Sequence, residues 1–337
     1  MDVLTDLLQR SRAHGAAFCR TTGYGEWGLR FPGRAVLSVH AVLEGEAHVW
    51  ADDPGDGLRL SPGDVMLVRE DIAHHVAHAS GAATEPLESV IAPGPGVSRQ
   101  ITVGHPHRGA NAGTVFFCGA YLFDGDLAQS LLDALPRTLK LSPGAGSPLR
   151  ATMDLLAGEM LRDEPGQQTL LDRLLDVALV QILREHFRTL AGEAPGWFRG
   201  SADARLGPAL RAMHEDPARA WTVGELAEQA MLSRSAFARL FTEVVGTAPL
   251  AYLNEWRMAL ARERLRDSDA RLAAIGGSLG YASEFSFAAA FKRHHGVAPG
   301  RWRIQARTVG GARKVGGARE VGRAREVGRV GTVSSAS

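Results

Sequence analysis

Ser233-Arg-Ser-Ala-Phe-Ala-Arg-Leu-Phe241 precedes Gly246 and Pro249, and 50 residues further on Ser283-Glu-Phe-Ser-Phe-Ala-Ala-Ala-Phe291 precedes Gly296 and Pro299. Serine, two phenylalanines, glycine and proline recur at one offset, which marks an internal duplication. In the first copy Thr222-Val-Gly-Glu225 has capping-box spacing and opens a helix whose buried face holds Leu226, Ala227 and Ala230. Met231-Leu232-Ser233 then makes a turn, and Ser233 caps a second helix from Arg234 to about Val245. The second copy repeats this with Leu272 to Leu279, the turn Gly280-Tyr281-Ala282-Ser283 and a helix from Glu284 to His294. Ahead of the turn the offset is 49, pairing Leu226 with Ile275, so the second turn is one residue longer. Helix, short turn, helix is helix-turn-helix spacing. On the second helix of the first copy Phe237, Leu240, Phe241 and Val244 take one face, leaving Arg234, Ser235, Ala238 and Arg239 toward a DNA major groove.

Leu250 to Arg266, between the copies, is a periodic helix of 17 residues, about 25 Å long at 1.5 Å per residue. With the attached modules it can hold two reading heads one DNA turn, ~34 Å, apart on the same duplex. Upstream, Ala191 to Ala204, with Gly192, Pro195, Gly196 and Gly200, is the linker candidate. Before it, Leu149 to Leu161 and Gln168 to Leu190 have helical spacing. Leu171, Leu174, Leu175, Ala178, Ile182 and Leu183 form a broad apolar stripe, which either packs on its own domain or makes a dimer seam. From Ala35 to Phe123 the texture is that of short strands: Val36 to Leu43, Ala47 to Ala51, Val65 to Arg69, His74 to Ala79 and Thr114 to Phe123. Turns are expected at Leu43-Glu44-Gly45-Glu46 and Ser61-Pro62-Gly63-Asp64, and a mobile loop from Ala92 to Gly113. Such strands imply a sandwich or small barrel. The chain closes on a Val-Gly-rich hexapeptide repeat from Val309, too poor in apolar surface to offset its ordering entropy.

The chain has 337 residues, 45% hydrophobic and 22% charged, a globular composition. No run approaches the roughly 18 apolar residues of a membrane helix. Met1 to Arg12 carries Asp2, Asp6, Arg10 and Arg12 among its leucines, unlike a secretory signal, so a cytoplasmic location is expected. Residues 1–200 hold 17 Lys+Arg against 24 Asp+Glu, and residues 201–337 hold 21 against 13. That split, −7 against +8, suggests that only the C-terminal end meets a polyanion. Cys19 and Cys118 are too few for a disulfide scaffold and too far apart for a CxxC motif.

Residues 210–303 resemble the DNA-binding domain of the AraC/XylS family of bacterial transcription regulators. The resemblance is carried by Ser233 to Phe241, Gly246 to Pro249, Tyr252, Arg257, Ala261, Gly280-Tyr281, Phe287, Ala290-Phe-Lys-Arg293 and Gly296-Val-Ala-Pro299. The N-terminal motifs Trp27-Gly-Leu-Arg-Phe31, Val42-Leu-Glu-Gly45, Pro62-Gly-Asp64, Ala73-His74 and Cys118-Gly119 are similar to the cupin-like sensor domain of one subfamily. The resemblance implies base contacts from Ser235 and Arg239, with Ser233 and Arg234 closer to phosphate; Arg239 could bridge guanine O6 and N7. In the second copy it implies Ser283, Glu284, Phe285, Ser286 and Ala289, and there the sequence departs. Family members commonly carry arginine where Ala289 stands, and Gly276-Gly277 interrupts the preceding helix, each glycine costing about 1 kcal/mol relative to alanine. The first head is therefore expected to dominate sequence readout, the second relying on Lys292 and Arg293 to phosphate plus methyl contact.

His40, Glu44, His74, His75 and His78 are the metal candidates of a cupin barrel. Ser38 stands before His40 where metal-binding cupins place an HxH pair, so no metal and no cofactor are expected. His40 and His74 remain candidates for effector contact or plain structural roles. Cys118 reads as a small buried hydrophobe, or with Cys19 as a redox pair, because some regulators of this sensor type respond to oxidants through cysteines in these regions. The fold expected is α+β and multidomain: a cupin-like β-barrel sensor at 1–146, a helical dimerisation region and linker at 147–204, an all-α double helix-turn-helix at 205–305 and a disordered tail at 306–337. The function expected is a sequence-specific, non-enzymatic transcription regulator under a small-molecule or redox signal. Its expected partners are double-stranded DNA, a small effector, a second copy of itself and, if it activates, RNA polymerase, with no membrane partner. The alternative is a metal-dependent cupin enzyme carrying a DNA-binding module.

Overall fold

The computed structural model of the chain describes residues 2–11, 14–33, 37–69, 72–90, 98–105, 113–123, 131–162 and 164–308. It resolves into two compact units, one of residues 8–194 and one of residues 1–7 with 195 onward. No helix among the described residues is long and apolar enough to cross a membrane.

The first unit is built on β1 (His14–Tyr24), β2 (Gly28–Phe31), β3 (Leu37–Glu44), β4 (Ala47–Trp50), β5 (Leu58–Leu60), β6 (Val65–Arg69), β7 (His74–Ala77), β8 (Glu85–Pro86), β9 (Ser98–Gly104), β10 (Thr114–Leu122) and β11 (Thr138–Leu141). One sheet runs β11-β6-β3-β10-β1-β9 and the other β5-β4-β7-β2-β8. Between them lies a core that includes Trp27, Leu29, Phe31, Val42, Val49, Met66, Val76 and Phe116. The larger sheet is covered on its far side as well. Tyr121 on β10 donates its hydroxyl to the Leu175 carbonyl at 2.9 Å, and a side chain at Gly119 would press on Leu175. Burial on both faces explains why β6 reads as an unbroken apolar run instead of an alternation.

Two strands depart from the sequence expectation. β9 lies inside the stretch expected to be a mobile loop, pairing in parallel with β1, because Ile101 and Val103 alternate into the core although glycine and proline flank them in sequence. β1 is central, between β9 and β10, yet its Gly15, Gly23 and short side chains carry little strand signal.

The helices are α1 (Val3–Ser11), α2 (Leu87–Val90), α3 (Pro148–Glu159), α4 (Gln167–Thr189), α5 (Gly196–Ala202), α6 (Leu206–Glu215), α7 (Val223–Gln229), α8 (Arg234–Val245), α9 (Pro249–Asp267), α10 (Leu272–Gly277) and α11 (Glu284–His295), with α12 over 299–308. α5 occupies half of the stretch expected to be a linker. Its glycines are packing residues: a Cβ at Gly196 would stand 2.0 Å from the Val245 carbonyl oxygen, and one at Gly200 2.8 Å from the Val245 side chain. Of the expected disordered tail, 306–308 belong to α12 and 309–337 lie outside the described residues.

Residues 1–7 join the helical unit through a buried polar chain. His214 Nδ1 donates to Asp6 at 2.8 Å, its Nε2 lies 2.8 Å from the Tyr252 hydroxyl, and its ring stacks on Trp256. Asp6 and His214 are both buried, so each satisfies a group that would be costly alone.

Candidate nucleic-acid interface

Both second helices start where the sequence placed their caps. The Ala236 N–H donates to Ser233 Oγ at 3.3 Å, and the Ser286 N–H donates to Ser283 Oγ at 3.1 Å. Both helices end on a left-handed glycine, Gly246 and Gly296. The capping box on α7 is also present, with the Thr222 N–H donating to Glu225 at 2.8 Å. Arg219 beside it, more than the Thr222 hydrogen bonds, pulls the Glu225 carboxyl down to about 2.

Phe237 and Phe241 on α8, and Phe287 and Phe291 on α11, are buried. On the opposite faces Ser233, Arg234, Ser235 and Arg239 are exposed, as are Ser283, Glu284, Phe285, Ser286, Ala289, Lys292 and Arg293. All the residues expected at DNA are thus brought to two equivalent solvent faces. Ser286 is less available than expected, because its hydroxyl donates to the Ser283 carbonyl at 2.8 Å and its oxygen accepts from the Ser283 N–H at 3.2 Å.

α9 packs on α8, α10 and α11, and its 19 residues span roughly 28 Å. Its arginines fasten both copies: Arg257 donates to the carbonyls of Pro217 at 2.6 Å and Arg219 at 2.8 Å, and Arg264 to that of Ser278 at 2.9 Å. Tyr281 in the second turn donates to Asn254 of α9 at 3.0 Å. The second copy also meets the segment leading into the first: Gly280, at φ +85, lies so close to it that a Cβ there would stand 2.2 Å from the Ala218 carbonyl oxygen. The spacing of the two exposed faces is therefore fixed by a helix, three side-chain clamps and a backbone contact.

Some of these roles were absent from the sequence expectations. Gly276 is a contact residue and not simply a weak helix position: a Cβ there would lie 2.9 Å from Cβ of Phe287, so α10 and α11 approach closely only because it is glycine. The 49-residue offset carried the signal, since it pairs Gly276 with Ala227 and Gly280 with Met231.

In the sheet unit, His40 on β3, His74 on β7 and Cys118 on β10 form one buried chain. Cys118 Sγ lies 2.9 Å from His40 Nδ1, His40 Nε2 lies 2.7 Å from His74 Nε2, and His74 Nδ1 lies 3.2 Å from the Ile72 carbonyl. Burial holds both imidazoles neutral, lowering His74 to about 4 and His40 well below the usual range. A carbonyl only accepts, so His74 Nδ1 donates to Ile72 and its Nε2 accepts from His40. His40 Nδ1 is left as acceptor for the Cys118 thiol, which burial and then nearby Cys19 push up. Cys19 stands directly across β1 and β10 from Cys118, a pairing that sets Cα atoms about 4.5–5.5 Å apart, within disulfide reach. His40 and His74 pack against Phe31 and each other, so a small molecule would reach them only if that core opened. A separate cleft of about 200 Å³ is lined by Arg20, Glu44, Arg150, Met153 and Leu161 among others.

A cupin family model matches residues 2–188, and a helix-turn-helix domain model matches residues 226–305. A protein of Streptomyces lividans named an AraC-like transcription regulator is 32% identical over 307 residues, covering 90% of this chain and 98% of that protein. The RCS-specific HTH-type transcriptional activator RclR of Escherichia coli is 30% identical over 314 residues, covering 91% of this chain and 99% of its own. The HTH-type transcriptional regulator AlkR of Acinetobacter baylyi is 28% identical over 316 residues, covering 91% and 100%.

Proposed function

The chain belongs to the AraC-like transcription regulators that carry a cupin domain ahead of a helix-turn-helix domain, and from that premise we propose that α8 and α11 enter successive major grooves of one duplex, with α8 supplying most of the sequence readout. The observation that carries this is the pair of equivalent exposed faces held at a fixed separation by α9. Arg239 bridges guanine, while Lys292 and Arg293 hold phosphate. Selecting bound sequences from random duplexes with the full chain tests it. One asymmetric motif spanning two grooves is expected, with Arg239→Ala relaxing that motif and Lys292→Ala weakening all sequences alike. Equal losses on selected and random DNA for Arg239→Ala contradict the assignment.

Leu171, Leu175, Ala178, Ile182 and Leu183 of the apolar stripe are buried within the unit, whereas Leu155 on α3 and Leu170 and Val177 on α4 are exposed, and these exposed residues support a homodimer seam along α3 and α4. A duplex target implies a cytoplasmic protein. For the signal, the facing thiols favour a redox input over a ligand at His40 and His74. Hydrogen peroxide joins the two sulfurs: the S–S bond forms as the O–O bond breaks, and two thiols and one peroxide give one disulfide and two waters, whose four hydrogens are the two thiol protons and the two of the peroxide. Intact-mass measurement after peroxide should show the loss of two hydrogens in the wild type and not in Cys118→Ser; an unchanged thiol count under oxidant excess rules this input out.

A further inference from the structure

What α11 recognises can be taken further, and the step rests on the DNA-binding reading above. In register with α8, α11 places Glu284, Phe285 and Ala289 where α8 has Arg234, Ser235 and Arg239. All six are exposed. α8 thus presents two guanidinium groups, whereas the same surface of α11 presents a carboxylate, an aromatic ring and a methyl group. The basic side chains of α11 stand in its last turn, and the Ser286 hydroxyl is committed to the Ser283 carbonyl. Guanine recognition requires a long cationic or amide donor, and the first two turns of α11 hold none.

They hold instead a phenylalanine that is 87% exposed, while the other four of the two copies are fully buried. Ala289 lies four residues after Phe285 and so shares its side of the helix. Together they make a small apolar strip on the surface that corresponds to the reading face of α8. Among the base edges of the major groove the apolar group is the C5 methyl of thymine, and a neighbouring carboxylate such as Glu284 suits the amino group of cytosine.

We infer that α11 reads thymine through its C5 methyl, with Phe285 as the specificity-determining residue and Ala289 beside it. The recognised site then pairs a guanine-containing half under α8 with a thymine-containing half under α11.

The test uses the full chain and the motif it selects from random duplexes. Positions whose preference survives Arg239→Ala belong to α11. At those positions each thymine is replaced by deoxyuridine, which keeps the pairing edge and lacks only the methyl. Affinity is expected to fall about fourfold for each contacted methyl removed. Phe285→Ser, which installs the residue found at the equivalent place in α8, should bind the thymine duplex as weakly as the wild type binds the deoxyuridine duplex, and should no longer distinguish the two. The deoxyuridine series needs no protein variant, so it decides the matter even where Phe285→Ser fails to fold. Equal wild-type affinity for thymine and deoxyuridine throughout the α11 half overturns the inference and leaves DNA recognition standing. Full discrimination by Phe285→Ser removes Phe285 from the readout and turns that surface toward a protein partner. Failure to select any motif overturns DNA recognition and this inference with it.

Discussion

Met231 and Gly280 occupy the same place in the two helix-turn-helix copies, where the chain turns with positive φ, 52° at Met231 and 85° at Gly280. For the methionine that conformation costs about 1–2 kcal/mol, and its side chain, 91% exposed, recovers little. Met231→Gly should therefore stabilise the helical unit by roughly 0.5–1 kcal/mol, once the greater freedom of glycine in the unfolded chain is set against the relieved strain. Gly280→Ala should do the reverse, by more than about 1 kcal/mol, since it adds left-handed strain to a collision with the Ala218 carbonyl. Urea unfolding of the full chain measures both; a stabilised Gly280→Ala would mean that Gly280 does not approach the Ala218 carbonyl. The caps Thr222, Ser233 and Ser283 were legible in the sequence because a cap is a local rule. Gly276 and Gly280 stand out against Ala227 and Met231 at the 49-residue offset, but what they approach was not legible, because each neighbour is brought in by tertiary packing.

The elements follow the same division. α7 to α11 were legible nearly to the residue, since their apolar periodicity and cap signals agree with their packing. β1 and β9 were not, since a strand of small or flanked residues becomes stable only through its neighbours in the sheet. The elements β3, β7 and β10 also carry a pH dependence through the groups they bring together. The unfolded chain gains a proton at each of His40 and His74 near the ordinary histidine value of 6.5, and the folded chain does so only further down, near 4 for His74. Between those limits the unfolded state binds more protons, so stability is complete above pH 6.5 and drains as pH falls. For His74 alone the full window amounts to about 3 kcal/mol, of which about 2 is gone by pH 5. Urea midpoints of the sheet unit at pH 7.5 and 5 should drop accordingly, and less steeply in His74→Gln. A flat profile would place these imidazoles in water.

At the scale of the whole molecule, the opposite charges of the two halves were visible in the composition, and the basic half is the one that carries α8 and α11. The membership of residues 1–7 in the helical unit was invisible, because nothing local in Val3 to Ser11 names a partner 208 residues away. Asp6→Ala leaves the His214 Nδ1–H without that acceptor in a buried site, and the helical unit should lose about 1–3 kcal/mol. Hydrogen exchange resolved by segment checks it, with faster exchange expected in α6 and α9; unchanged protection there would show that Asp6 is replaceable by water. The same contact sets an order of events during synthesis. A ribosome adds about 5–20 residues per second, so Asp6 is made some 10–40 seconds before His214, and the whole β-rich span lies between them. Over that interval an acidic helix start waits without its partner while the sheets can already close. The DNA-binding half is thus finished last, by the part of the chain made first, and a nascent regulator cut short before α6 has its cupin unit but no completed helix-turn-helix unit.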